Sequence, residues 1–255
     1  MPGSVLDDGN LKVFESRRVT RHYGRVADAG LHPQEKALLD SIPANARESV
    51  LDIGIASGRT TGPLAGLFRK YVGIDYAAPL VASAAERFPG RDLRVMDARE
   101  LPFEEEFDCV VFSYNGIDLM PWEDRMRAFE GMARALKPGG FLIYSSHNGA
   151  YRRRAVWMQS FWVAELFKSL GNLLGLRNRL RRFKRQYADP DGRYFVVNTP
   201  GLSFSVLNVL TDHPRELQAI RKLGLTVQTQ IGSNKAAGGG FDSNDPWVYV
   251  LAQKQ

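Results

Sequence analysis

Ser49-Val50-Leu51-Asp52-Ile53-Gly54-Ile55-Ala56-Ser57-Gly58 decides the fold. A short apolar run passes into a turn of small residues, and a helix pattern over about 59–70 opens directly after Gly58. In α/β folds such a turn binds a nucleotide-like ligand, because small residues let the backbone approach and a helix N-terminus offers free N–H groups. The spacing Asp52-x-Gly54-x-Ala56-x-Gly58 differs from the G-x-G-x-x-G fingerprint that seats a pyrophosphate. The tighter form suits a ligand that presents a small carboxylate to the turn.

Outward from this turn, short β-type runs alternate with helical patterns up to about Ser146, the signature of a doubly wound α/β sheet built from βαβ units. The further runs are 71–74, 93–96, 107–112 and 141–144, with helices expected at about 79–88 and 121–136. Pro79 and Pro121 stand where a first helical turn tolerates proline, and Lys137-Pro138-Gly139-Gly140 stops the second of these helices. Pro33 begins a helix that should pack, with the segment around Tyr23, over the ligand end of the sheet. The chain then divides into an N-terminal helical cap at 1–45, a ligand-binding α/β core at 46–148, an insertion at 149–210 and a completion of the sheet at 211–255. The insertion carries a helical stripe at Met158, Trp162, Leu166, Leu170 and Leu174, a basic run at 177–185, and a hairpin of runs 194–198 and 204–210 about Pro200-Gly201. Runs 225–231 and 247–252 provide the last two strands, separated from the insertion by a helix that Pro214 opens and Gly224 caps.

Two further acids stand at strand ends. Asp75 closes Val72-Gly73-Ile74-Asp75, where a carboxylate can accept hydrogen bonds from both hydroxyls of an unphosphorylated ribose and would repel a phosphate. Asp97 closes Val95-Met96-Asp97, from which a carboxylate can accept a bond from an adenine amine. With these residues in order, the segments Val50 to Gly58, Gly73 to Asp75, Met96 to Phe103, Phe107 to Asn115 and Leu136 to Gly140 resemble the successive motifs of class I S-adenosylmethionine-dependent methyltransferases. The resemblance covers about 45–148 and implies a Rossmann-like, seven-stranded sheet whose last strand is antiparallel. It also implies S-adenosylmethionine as cofactor, with Gly54, Ala56 and Gly58 passing its methionine part, Asp75 at the ribose, Asp97 at the adenine, Ser113, Tyr114 and Asn115 near the sulfonium, and Tyr23, Asp52, Ile55, Tyr76 and Ala98 as further cofactor-binding residues. Ala56 departs from the family's usual glycine, and its methyl group sets the cofactor's tail slightly farther out.

For chemistry, His147 is the candidate general base and Tyr114 its companion at the acceptor side, with Asn115, Asp118 and Asn148 as further polar groups there. His213 is a poorer candidate because Asp212-His213-Pro214 reads as a helix start. The place of the Asn-Pro-Pro-Tyr signature of amino-directed nucleic-acid methyltransferases reads Ser113-Tyr114-Asn115-Gly116, and the two-cysteine arrangement of RNA C5-methyltransferases cannot be built from one cysteine. Both arguments point away from nucleic acid and toward a small-molecule, sugar or natural-product acceptor. A non-catalytic regulator that binds the cofactor and a nicotinamide-dependent oxidoreductase are the alternative readings. Cys109, in an apolar run, is read as a buried core thiol, and no metal is expected.

The net charge of +6 is unevenly spread: residues 149–187 hold ten Lys or Arg and one acid, hence +9, and the remainder sums to −3. The basic insertion is compatible with an anionic or aromatic acceptor, with peripheral membrane contact or with a dimer contact. No apolar run reaches the roughly 18 residues of a membrane span, and the first thirty residues mix charges where a signal peptide needs an apolar stretch, so a cytoplasmic location is expected.

Overall fold

A computed structural model describes residues 9–151, 187–198, 202, 205–236 and 239–255. The stripe at 158–174, the basic run at 177–185 and the Pro200-Gly201 turn lie outside the described residues. Ten strands are described: β1 Ser49–Ile53, β2 Lys70–Asp75, β3 Asp92–Val95, β4 Phe107–Phe112, β5 Leu136–His147, β6 Tyr187–Ala188, β7 Tyr194–Asn198, β8 Leu207–Thr211, β9 Leu225–Gly232 and β10 Trp247–Lys254. Seven of them form one sheet in the order β3-β2-β1-β4-β5-β10-β9, with β10 antiparallel to both of its neighbours and the pairs from β3 to β5 parallel. The order reverses between β1 and β4, so their carboxyl ends open a crevice, which is where open α/β sheets bind ligands.

The helices are α1 Arg17–Val26, α2 Pro33–Ser41, α3 Thr61–Leu67, α4 Ala78–Arg87, α5 Trp122–Ala135 and α6 His213–Lys222. Their starts follow local chemistry. The Ser16 side chain accepts from the Val19 N–H, Glu35 accepts from the His32 N–H at 2.7 Å ahead of Pro33, and Asp212 accepts from the Arg215 N–H at 3.2 Å. α3 is shorter than expected, because Phe68 already turns into extended backbone and packs into the core. Every residue of β1 is buried, since apolar clusters cover both faces of the sheet. Cys109 belongs to one of these clusters and is fully buried, which pushes its thiol well above the usual range.

One boundary differs from expectation. α5 stops at Ala135, but Lys137-Pro138-Gly139-Gly140 continues as β5 rather than standing apart as a turn. The extra residues are absorbed between the Phe107–Leu136 and Cys109–Phe141 pairings as an irregularity, and the Lys137 ammonium holds the segment on the Asp108 carboxylate at 2.9 Å.

The expected hairpin of the insertion is present as the β7–β8 pair, Tyr194 opposite Thr211 through Asn198 opposite Leu207, with β6 as an unanticipated third strand. The N-terminal segment is tied to it. Asn10 donates to the Leu207 carbonyl at 3.0 Å and accepts from the Leu207 N–H at 3.2 Å, and Arg18 donates to the Leu202 carbonyl and to Ser205 Oγ, both at 3.0 Å.

Candidate active site

A cavity of about 410 Å³ lies at the carboxyl ends of β1, β2 and β4. Gly54, Ile55 and Ala56 form one wall. Gly54 has φ +70°, and a Cβ there would stand 3.0 Å from the Phe112 ring. Ala56 has φ +47°, a left-handed conformation that side chains disfavour, so the position occupied by glycine in the resembling family is glycine-like in geometry here too. Asp75 lines the next wall at 5% exposure. Its carboxylate accepts from the Ala56 and Ala77 N–H groups, each at 2.9 Å, while no cation pairs with it among the described residues. Burial pushes this carboxyl up to about 6 in spite of those bonds.

Two expected ligand residues do not reach the cavity. Asp52 sits beneath the turn, fully buried, where it accepts from Thr60 Oγ1 at 2.6 Å and from the Tyr71 hydroxyl at 2.8 Å; burial pushes its carboxyl up to about 7. It braces the loop from below. Gly58 has φ +95° and faces Phe88, so it serves packing.

Asp97 and Ala98 line the far end, near Met96. Asp97 is already engaged, because Arg99 donates to it through its backbone N–H at 2.9 Å and through Nε at 3.0 Å, while Arg99 Nη1 reaches Asp124 at 3.1 Å. Burial raises the Asp97 carboxyl, and Arg99 outweighs that and holds it below the usual range. Tyr23 and Tyr76 line the cavity together with Phe14, whose ring centroid lies 6.1 and 5.9 Å from theirs. Phe14 escaped the sequence reading because it precedes every motif.

On the other side stand Ser113, Tyr114 and Asn115, which follow β4. Tyr114 and Asn115 are both left-handed, at φ +55° and +59°, which turns the chain abruptly out of the sheet. The Asn115 N–H donates to Ser145 Oγ at 2.9 Å, whereas its buried Oδ1 has no hydrogen-bond partner among the described residues. Ser113 is held in a knot that sequence reasoning missed: Arg59 donates to both Glu35 oxygens at 2.7 and 2.8 Å and to Ser113 Oγ at 2.5 Å, and its guanidinium lies 5.1 Å from the Tyr114 ring centroid. The available signal was an arginine directly after the glycine-rich turn and an acid at the third position of the Pro33 helix.

His147, at the end of β5, lines the cavity beside Trp247, whose ring lies 5.7 Å away and edge-on. Its Nδ1 is 2.6 Å from Asp118 Oδ2. Asp118 and Asn148 themselves do not line the cavity. Asp118 is fully buried behind His147, and Asn148 donates to the Asp245 carbonyl at 2.9 Å. His213 is bonded to Gln230 at 2.9 Å and also lies off the cavity.

Residues 50–140 match a family model described as a methyltransferase domain. The sheet order and the antiparallel β10 agree with that match. Residues 50–140 of this chain are thus similar to a methyltransferase domain. The chain is 31% identical over 112 residues to a tRNA (carboxymethyluridine(34)-5-O)-methyltransferase of Arabidopsis thaliana, covering 44% of this chain and 26% of the relative. It is 34% identical over 105 residues to a phosphatidylethanolamine N-methyltransferase of Cereibacter sphaeroides, covering 38% and 50%. The chain thus spans between about a quarter and a half of the length of these curated relatives. A solved S-adenosylmethionine-dependent methyltransferase of Mesorhizobium loti shares the fold, with a TM-score of 0.60 at 16% identity over 88% of this chain and 98% of that one.

Proposed function

We propose that the protein transfers a methyl group from S-adenosylmethionine to a small-molecule acceptor, whose nucleophile attacks the methyl carbon directly. The observation that carries this reading is the buried Asp75 carboxylate, fixed by two backbone N–H groups and facing the same cavity as the Gly54–Ala56 turn and Asp97. An anion without a cationic partner suits the two hydroxyls of a ribose and repels the phosphate of a larger dinucleotide. Gly54, Ile55 and Ala56 would pass the methionine part, Asp75 and Tyr76 hold the ribose, Asp97 and Ala98 meet the adenine, and Tyr23, Ser113 and Asn115 close the remaining sides. When bound, S-adenosylmethionine supplies an activated methyl group on a sulfonium. The chain's own contribution is to hold the acceptor in line and exclude water, which can supply much of the rate enhancement.

Tyr114, Trp247 and His147 form the acceptor side of this reading, with His147 as base and Tyr114 as a ring that positions the acceptor. The insertion 149–210 is the acceptor lid, which is supported by the approach of Leu202, Val206 and Asn208 to the cavity over the N-terminal residues Asn10 and Phe14. A cavity of this size favours a small acceptor over a nucleic-acid duplex. The test is incubation of the protein with methyl-labelled S-adenosylmethionine and a cell extract separated into small-molecule, lipid, RNA and protein fractions. Label is expected in the small-molecule fraction. Label confined to RNA, lipid or protein would overturn the acceptor class, and cofactor binding without any label would favour a regulator.

A further inference from the structure

Asp118, Arg125 and Glu216 are each fully buried and form a chain of charge directly behind His147. Arg125 Nη2 donates to Asp118 Oδ1 at 2.5 Å, and its Nη1 donates to Glu216 Oε2 and, at 3.1 Å, to Thr211 Oγ1. Around them, Ser146 Oγ donates to Asp118 Oδ1 at 2.7 Å, the Tyr144 hydroxyl donates to Glu216 Oε1 at 3.1 Å, and His213 Nδ1 faces Glu216 at 3.8 Å. Burial pushes the Glu216 carboxyl up, but Arg125 and His213 more than reverse this and bring it to about 2. Two carboxylates against one guanidinium leave a formal charge of −1 in this fully buried cluster, and two imidazoles face it, His147 beside Asp118 and His213 beside Glu216. Of the groups in this cluster, His147 is the one that also lines the cavity.

The geometry fixes its tautomer. Asp118 Oδ2 receives the His147 backbone N–H at 2.7 Å and lies 2.6 Å from Nδ1. An ionised carboxylate only accepts, so Nδ1 carries the hydrogen and Nε2 the lone pair. Nε2 has no hydrogen-bond partner among the described residues. Trp247 stands edge-on to His147, and Tyr114 edge-on to Trp247 at 5.7 Å, so aromatic rings stand beside His147 on the cavity wall.

We propose that Asp118 is the positioning residue of an Asp118–His147 pair that takes a proton from the acceptor, and that the acceptor is therefore a hydroxyl carried on a planar ring. This rests on the methyl-transfer reading above. As the acceptor oxygen bonds to the methyl carbon, its O–H bond breaks and the proton passes to His147 Nε2, while the electron pair of the broken C–S bond remains on the cofactor's sulfur. The imidazolium so formed lies against the Asp118 carboxylate, which stabilises its charge. A neutral amine attacks through its own lone pair and needs no such partner.

The test uses the full chain with 15N-labelled histidine, saturated with S-adenosylhomocysteine, and a long-range 1H–15N correlation spectrum in which His147→Gln identifies the His147 signals. Neutral His147 is expected in the Nδ1–H tautomer. Asp118→Asn should switch it to Nε2–H, since Arg125 and Ser146 retain the amide oxygen and leave the NH2 group facing Nδ1. A wild-type Nε2–H tautomer overturns the proposal whether or not Asp118→Asn folds, and so does a folded Asp118→Asn with the tautomer unchanged. With 13C-methyl donor and extract, the product's methyl shift should report an O-methyl group, and His147→Gln should lower its formation about a hundredfold or more at unchanged S-adenosylhomocysteine affinity. An N-methyl or C-methyl product overturns the proposal. Failure of S-adenosylhomocysteine to bind would instead remove the reading on which it rests.

Discussion

Asp75 concentrates the physical argument of the cofactor side. Its carboxyl is raised by burial to about 6, against an ordinary value of 3.8. Between about pH 4 and 6 the folded protein therefore holds a proton that the unfolded chain has released, and this residue's contribution makes the fold less stable as pH rises through that window, by about 3 kcal/mol in all. Ligand binding should run the other way, because two ribose hydroxyls can both donate only to the ionised form. S-adenosylhomocysteine affinity is expected to fall about tenfold from pH 7 to pH 5, and Asp75→Asn should bind more weakly and lose that pH dependence; calorimetric titration at several pH values checks both. The places of Asp75 and Asp97 on the cavity wall were legible because strand-end acids can be counted from a strand pattern. Asp52 was misread for the same reason: it lies within the motif, but alternation turns it away from the cavity and onto Thr60 and Tyr71. Arg59, Glu35 and Phe14 were not legible, since their approach depends on how α2 and the N-terminal segment fold back over the sheet.

At the scale of elements, the turn between β1 and α3 works because its backbone enters the left-handed region three times, at Gly54, Ala56 and Gly58. Only Ala56 carries a side chain there. Gly58→Ala would combine φ +95° with a Cβ placed 2.5 Å from the Phe88 ring, so it should cost about 2 kcal/mol or more and lower the melting temperature by roughly 4–8 °C in a thermal scan. An unchanged melting temperature would mean that α4 and Phe88 yield freely. β1 to β4 were readable nearly to the residue, as they are short runs punctuated by glycine, proline and acids. β5 was not, because its first turn-like residues are drawn into the sheet by pairing with β4, a tertiary effect that a local signal does not carry. β6 has two residues and exists through its pairing with β7, so it left no pattern to find.

In the whole molecule, one sheet places three sets of groups along one crevice: the Gly54–Ala56 turn from β1, Asp75 from β2, and His147 from β5, with Trp247 from the antiparallel β10 beside it. The N-terminal segment and the β6–β8 sheet close over that crevice through the Asn10–Leu207 and Arg18–Leu202 bonds. The net positive charge of the sequence resides in 149–187, and the remaining residues sum to −3. The most direct test of the account is a calorimetric titration of the full chain with S-adenosylhomocysteine and, separately, with NAD. One molecule of S-adenosylhomocysteine per chain is predicted to bind, with no measurable heat from NAD at the same concentration, whereas binding of NAD in its place would contradict the account.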